Sequence, residues 1–156
     1  MTRISVTGTP ATDAAQEDHL TTISAPTLSG LSHVALTVSD LSISVPWYER
    51  VFGQPAVLDE ETGPFRHVVF ALGSTLFGLH PFPDGQITDV PFTPRRVGLD
   101  HVSFACANRT ELEQWAAMLD ALGVPHGGVQ DAGYGSGLSF KDPDGPPLEI
   151  SCPPAS

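Results

Sequence analysis

Polar and apolar residues alternate with a period of two in two short stretches, residues 31–38 and 99–106, and each reads as a strand. In the first, Val34, Leu36 and Val38 share one face and His33, Ala35 and Thr37 the other. The second sorts Val102, Phe104 and Cys106 against His101, Ser103 and Ala105. Each stretch therefore sets one histidine on a face otherwise made of small residues, which leaves room beside the imidazole. Behind each strand the pattern turns helical. Trp47, Tyr48 and Val51 form the inner face of a helix ending at Gly53. Leu112, Trp115, Leu119 and Leu122 form that of a second, stopped by Gly123. Pro46 cannot sit deep in a helix, so the first helix is expected to begin near Ser42 or Ser44, either of which can cap it. For the second, Thr110 with Glu113 forms a capping box and Asn108 competes as the cap.

The remaining elements follow from alternation and turn residues. In the first half, strands are expected at 55–58, 65–72 and 75–82. Residues 59–64 read as a polar turn and Gly73-Ser74 as a tight one. In the second half, a weak strand at 124–129 and a loop at 133–137 around Tyr134 precede a strand at 138–141. Asp142-Pro143-Asp144-Gly145 is a strong turn, and 147–152 is the last strand.

Each half thus has the order βαβββ, and the halves keep register. His33 matches His101, Gly53 matches Gly123 and His80 matches Glu149, a spacing of roughly 69 residues throughout. The fold class is α+β, built from two βαβββ modules. Module one spans 29–82 and module two 99–153. They are joined by a proline-rich linker, 83–98, long enough for the halves to pair within one chain or to exchange between two copies. Residues 1–28 read as a flexible extension.

The repeat also carries the candidate chemistry. Its first and last strands offer His33 and His80 in module one, and His101 and Glu149 in module two. Packed about a pseudo-twofold axis, these four positions converge, and three imidazoles with a carboxylate make a site for one divalent ion: Fe, Ni, Zn, Co or Mn. Glu149 and His80 are also the candidate catalytic acid–base groups. Arg66, His67 and Tyr134 are candidate substrate-binding residues, and His67 and His126, which have no match in the repeat, are not read as ligands.

Composition narrows the function classes. The 156 residues are 40% hydrophobic and only 16% charged, which is globular. Seven basic residues stand against eighteen acidic, a formal charge of −11, and no basic stripe exists to meet a nucleic acid. No apolar run approaches the roughly 18 residues that a membrane span needs, and no basic-then-apolar leader opens the chain. Cys106 and Cys152 fall on apolar strand faces and read as reduced, buried thiols of a cytoplasmic protein.

The sequence resembles the vicinal oxygen chelate superfamily, which includes glyoxalase I, fosfomycin-resistance proteins, methylmalonyl-CoA epimerase and extradiol dioxygenases. The likeness rests on Leu31-Ser32-His33-Val34, on Trp47-Tyr48-Glu49-Arg50-Val51-Phe52-Gly53, on Leu99-Asp100-His101-Val102-Ser103-Phe104, and on Asp142-Pro143-Asp144-Gly145 with Leu148-Glu149-Ile150. It implies a curved, incomplete barrel around a metal, with His33, His101 and Glu149 at the ligand positions. His80 stands where glyoxalase-type members carry a glutamate and epimerase-type members another polar ligand. It implies an enzyme that chelates two neighbouring oxygens of a small, oxygen-rich substrate. The chemistry is then of isomerase, lyase or epimerase type on a redox-silent ion, or of dioxygenase type on Fe(II). A ligand-sequestering resistance protein without turnover is the alternative. A homodimer is one of the two pairings that the linker permits.

Overall fold

The computed structural model describes residues 25–63, 65–82 and 90–154. Two four-stranded sheets, each backed by one helix, share a common apolar core. Sheet one holds β1 (His33–Thr37), β2 (Leu58–Thr62), β3 (Phe65–Leu72) and β4 (Thr75–His80), in the order β1-β4-β3-β2. Sheet two holds β5 (Val102–Ala105), β6 (His126–Ala132), β7 (Gly135–Lys141) and β8 (Pro147–Cys152), in the order β5-β8-β7-β6. The helices are α1 (Leu41–Phe52) and α2 (Arg109–Ala121). In each sheet the first strand runs parallel to the last and the other pairs are antiparallel. This is the two-module βαβββ arrangement expected from the repeat. The extension over 1–28 and the linker over 83–98 lie partly outside the described residues.

Alternation along the strands decides what is buried. Leu36, Val38, Phe77, Leu79, Val68 and Phe70 of sheet one and Leu138, Phe140, Leu148, Ile150 and Cys152 of sheet two enter the core. His33, Ala35 and Thr37, like Ser103 and Ala105, stay exposed on the opposite faces. The two apolar faces meet at an aromatic cluster: Phe104 of β5 packs edge-on against Phe52 at 5.4 Å and Phe77 at 5.6 Å between ring centroids. Cys106 and Cys152 are both free thiols, the second fully in the core.

Several boundaries move. Helix α1 starts earlier than Pro46 suggests, because Asp40 rather than Ser42 or Ser44 is the cap; its Oδ1 accepts the Ser42 N–H at 2.7 Å. Pro46 is then inside the helix. Ser42, whose carbonyl it cannot serve, is an exposed residue, so the missing bond lies on the solvent side of the helix. In α2 the competing cap prevails. Asn108 Oδ1 accepts the Glu111 N–H at 3.0 Å, and Glu111 returns the favour to the Ala107 N–H at 2.7 Å, so the capping box is Asn108 with Glu111. Strand β2 covers Leu58–Thr62 instead of 55–58. Its polar residues form an edge strand paired to β3, where exposure suits Asp59, Glu60 and Glu61. In module two the expected loop at 133–137 shrinks to a tight turn, and β7 begins at Gly135.

The modules are fastened at one corner. Tyr48 of α1, fully buried, donates its hydroxyl to Asp142 Oδ2 at 2.8 Å, across from module one to the turn between β7 and β8. Asp142 Oδ1 accepts the N–H groups of Asp144 at 3.0 Å and Gly145 at 2.8 Å. Ser39, just before α1, donates its N–H to Asp144 Oδ2 at 2.9 Å and its hydroxyl to Oδ1 of the same side chain. Burial pushes the Asp142 carboxyl above the usual carboxylate range, while the Tyr48 and turn hydrogen bonds pull it down. Burial and the facing carboxylate push the Tyr48 phenol far up, so it stays protonated and donates. Elsewhere between the modules a largely apolar cavity of about 660 Å³ remains, lined among others by Phe52, Gly73, Phe77, Phe104 and Trp115.

Tyr48→Phe removes a charge-assisted bond and should cost about 2 kcal/mol in urea denaturation at neutral pH. That bond favours the Asp142 carboxylate over its neutral acid. The penalty is therefore largest well above the raised pKa of Asp142 and should shrink as the pH falls through it.

Candidate functional site

Each sheet turns one polar face away from the shared core, and the candidate residues lie on these two faces. On sheet one the register sets Thr37, His80, His67 and Glu60 side by side across all four strands. His67 and His80 stack, with ring centroids 4.1 Å apart and planes 19° from parallel. The His80 ring leans back over Gly78: a Cβ there would come within 3.3 Å of Nε2. Gly78 pairs with Ala35, and His33 lies two residues before Ala35 on the same face. Burial lowers the His80 pKa, and the neighbouring imidazoles of His67 and His33 lower it further, so His80 is neutral at neutral pH.

On sheet two, Glu149 of β8 is held by serines. Its Oε1 accepts from Ser103 Oγ at 2.9 Å, Ser139 Oγ lies 3.5 Å from Oε2, and Ser103 and Ser151 are hydrogen-bonded at 2.9 Å. The carboxylate bends over Gly137, where a Cβ would fall 2.9 Å from Oε2. His101 immediately precedes β5. Its Nδ1 lies 3.6 Å from Asp100 Oδ2, and in module one His33 Nδ1 lies 3.3 Å from Ser32 Oγ. In module one the preceding side chain is within hydrogen-bond distance of Nδ1, and in module two a carboxylate lies near it; neither contact involves Nε2.

The structure brings His33, His67 and His80 together on one polar face and places Glu149 on the other, with His101 at the start of its first strand. Among the described residues, no three His, Cys, Asp or Glu side chains of one chain are gathered to hold a metal ion. Of the expected substrate-binding residues, His67 stands on the polar face beside His80. Arg66, one residue along, faces the other way and is bound to Asp59 through two hydrogen bonds of 2.5 and 2.6 Å; the period of two that presents His67 removes Arg66. Tyr134 is 88% exposed at the tip of the β6–β7 hairpin, between two glycines. His126 is occupied structurally, its Nε2 3.1 Å from Asp120 Oδ1 and its Nδ1 accepting the Gly128 N–H.

Residues 30–150 match the model of the Glyoxalase/Bleomycin resistance protein/Dioxygenase superfamily. The chain belongs to this superfamily. Within the glyoxalase superfamily it is 28% identical over 127 residues to the metallothiol transferase FosB of Shouchella clausii, covering 79% of this chain and 80% of that one. Among solved structures it resembles a glyoxylase/bleomycin resistance protein/dioxygenase domain from Frankia sp. EAN1pec. That likeness has 31% identity and a TM-score of 0.72, over 83% of this chain and 96% of that one. The fosfomycin resistance protein FosX of Listeria monocytogenes shares the fold, at 20% identity and a TM-score of 0.61, over 82% and 96% of the two chains.

Ser103, Ser139 and Gly137 were not singled out in the sequence. The signal was present: alternation along 135–141 sets Gly137, Ser139 and Lys141 on the face of Glu149. Two glycines of β7 make the geometry testable. Gly137→Ala should change stability by less than about 0.5 kcal/mol, because the Glu149 side chain can swing outward. Gly135→Ala should cost upwards of about 2 kcal/mol in the same denaturant titration, since its φ is +147° and its Cβ would run into the backbone carbonyl of Cys152.

Proposed function

We propose that the chain is a divalent-metal-dependent enzyme of the glyoxalase superfamily whose site is completed by a second copy of itself. His33 and His80 of one copy and His101 and Glu149 of the other would hold one ion. The observation that carries this is the split of four repeat-matched side chains between two polar faces that one chain leaves open, with the apolar faces already used up against each other. The residues suit such an ion. Three imidazoles and one carboxylate match Fe, Ni, Zn, Co or Mn. Ser32 is hydrogen-bonded to Nδ1 of His33, Ser103 steadies Glu149, and Gly78 and Gly137 keep the space beside His80 and Glu149 clear.

When bound, the ion supplies Lewis acidity to two neighbouring oxygens of a small substrate. The chain's part is to place a proton acceptor beside it. His80 has one free lone pair and so serves either as the fourth ligand or, left off the ion, as that acceptor, where it is neutral and stacked on His67. Glu149 is the other proton-moving group. The reaction this supports best is transfer or isomerisation on a chelated small molecule without change of metal oxidation state. The name of the metallothiol transferase relatives is in keeping with that.

Mixing two inactive variants tests both the ligands and the pairing. His33→Ala and Glu149→Ala homodimers should each lose tight metal binding. A heterodimer isolated with two different affinity tags should regain one site of two, because one pairing unites the intact module one with the intact module two. Half the wild-type metal content in that heterodimer is the expected result. No recovery would mean that each site lies within one chain or does not exist. His101→Ala should fold with near-normal thermal stability and fail to retain metal. Full metal content in that variant would remove His101 from the ligand set. In a metal-loaded screen of chelatable electrophiles with a thiol or water as nucleophile, binding without turnover would point to sequestration, and oxygen uptake to Fe(II) chemistry.

A further inference from the structure

The two cysteines of the chain stand opposite each other in sheet two. Strand β5 pairs in parallel with β8 as far as Ala105 and Ser151. The Cys106 N–H then donates to the Ser151 carbonyl at 2.8 Å, so the ladder runs one residue past β5 and sets Cys106 against Cys152, the last residue of β8. Parity sends both side chains to the apolar face, one alternation beyond Phe104 and Ile150. Neighbouring strands lie about 4.8 Å apart, within the roughly 4.4–6.8 Å of Cα separation that a disulfide spans. Cys106 is half-buried and Cys152 only 5% exposed, so a small molecule reaches the first thiol and not the second. The Cys106 thiol donates a long, weak hydrogen bond of 3.7 Å to the Asn108 carbonyl, which is little to give up.

The pair sits where a covalent tie has most to hold. Strand β5 is four residues long and is the edge of sheet two; among the described residues β8 is the one strand bonded to it. Fraying of β5 would also draw the Ser103 hydroxyl away from Glu149. We propose that Cys106 and Cys152 form a reversible disulfide that locks the edge strand β5 onto β8. The Cys106 thiolate attacks one sulfur of a low-molecular-weight disulfide and releases a small thiolate. The Cys152 thiolate then displaces the second small thiolate and closes the Sγ–Sγ bond. The pair gives up two electrons and two protons, and the oxidant leaves as two thiols. Burial pushes the Cys106 thiol above its ordinary pKa, and the neighbouring Cys152 thiol and Glu111 push it further. Little thiolate is then present at neutral pH, so the exchange takes on the order of hours. The lock is independent of whatever reaction the polar faces support.

The test uses the full chain, reduced, freed of reductant and equilibrated at neutral pH with oxidised glutathione. Alkylation in denaturant followed by peptide mapping is expected to find neither cysteine alkylated and Cys106 joined to Cys152 within one chain. Dithiothreitol should restore both thiols. Hydrogen exchange reads the lock: the Cys106 N–H, bonded to Ser151, should exchange at least about tenfold more slowly in the oxidised form. The Tm should rise by about 5 °C. In Cys152→Ser the same treatment should stop at a mixed disulfide of Cys106 with glutathione, with no gain in protection. Should that variant fail to fold, Cys106→Ser, changed at the more exposed position, replaces it, and its Cys152 should stay reduced in the native protein. Two thiols still open to alkylation in the equilibrated wild type would overturn the proposal. So would a bond between two chains, a glutathione adduct that persists on wild-type Cys106, a bond that forms only in urea, or an internal bond that leaves exchange at Cys106 unchanged.

Discussion

The hydrogen bond from the Tyr48 hydroxyl to the Asp142 carboxylate is the joint on which the geometry of this chain turns. It is buried, it links residues from different modules, and one partner carries charge. Such a bond contributes little while both partners are present and costs much when one is lost, because the other is stranded away from water. Its position matters as much as its strength. Tyr48 lies in the helix behind sheet one, and Asp142 opens the turn between the last two strands of sheet two. The bond therefore sets where β7 ends and β8 begins, and so where Ser139, Lys141 and Glu149 stand.

The joint has no counterpart in the other half. At the spacing of the repeat, Tyr48 matches Ala116 and Asp142 matches Gly73. The corresponding positions carry a methyl group and a two-residue turn where the first junction has a phenol and a four-residue turn. The cavity of about 660 Å³, bordered by Gly73 and Trp115, occupies that region. The duplicated halves have kept their order of elements and lost their equivalence where they meet. Strand pairing is set by backbone bonds that any sequence can make, whereas a junction depends on particular side chains.

Much of this was legible in the sequence. Strict alternation around His33 and around Val102 fixed strand faces correctly, and the spacing near 69 residues revealed the duplication. Boundaries were less legible where local chemistry competes: Asp40 against Ser42 for one cap, Asn108 against Thr110 for the other. Strand β2 was hidden because an exposed edge strand needs no apolar face, so Asp59-Glu60-Glu61 read as a turn. The candidate site was readable in its residues and not in its assembly. Parity places His33, His80 and Glu149 on polar faces, but nothing in a linear pattern says that the two apolar faces will be spent on each other. Arg66 was misplaced by one residue of parity.

The contact of Phe104 with Phe52 and Phe77 means that the duplication is no longer divisible. Each ring is shielded by rings of the opposite half, so a fragment ending before residue 99 would present Phe52 and Phe77 to water and lack the group that covers them. A single module would need a like copy to cover this same surface. With both halves in one chain, the seam forms at the high local concentration that the connecting segment imposes, and the two sides need not be alike.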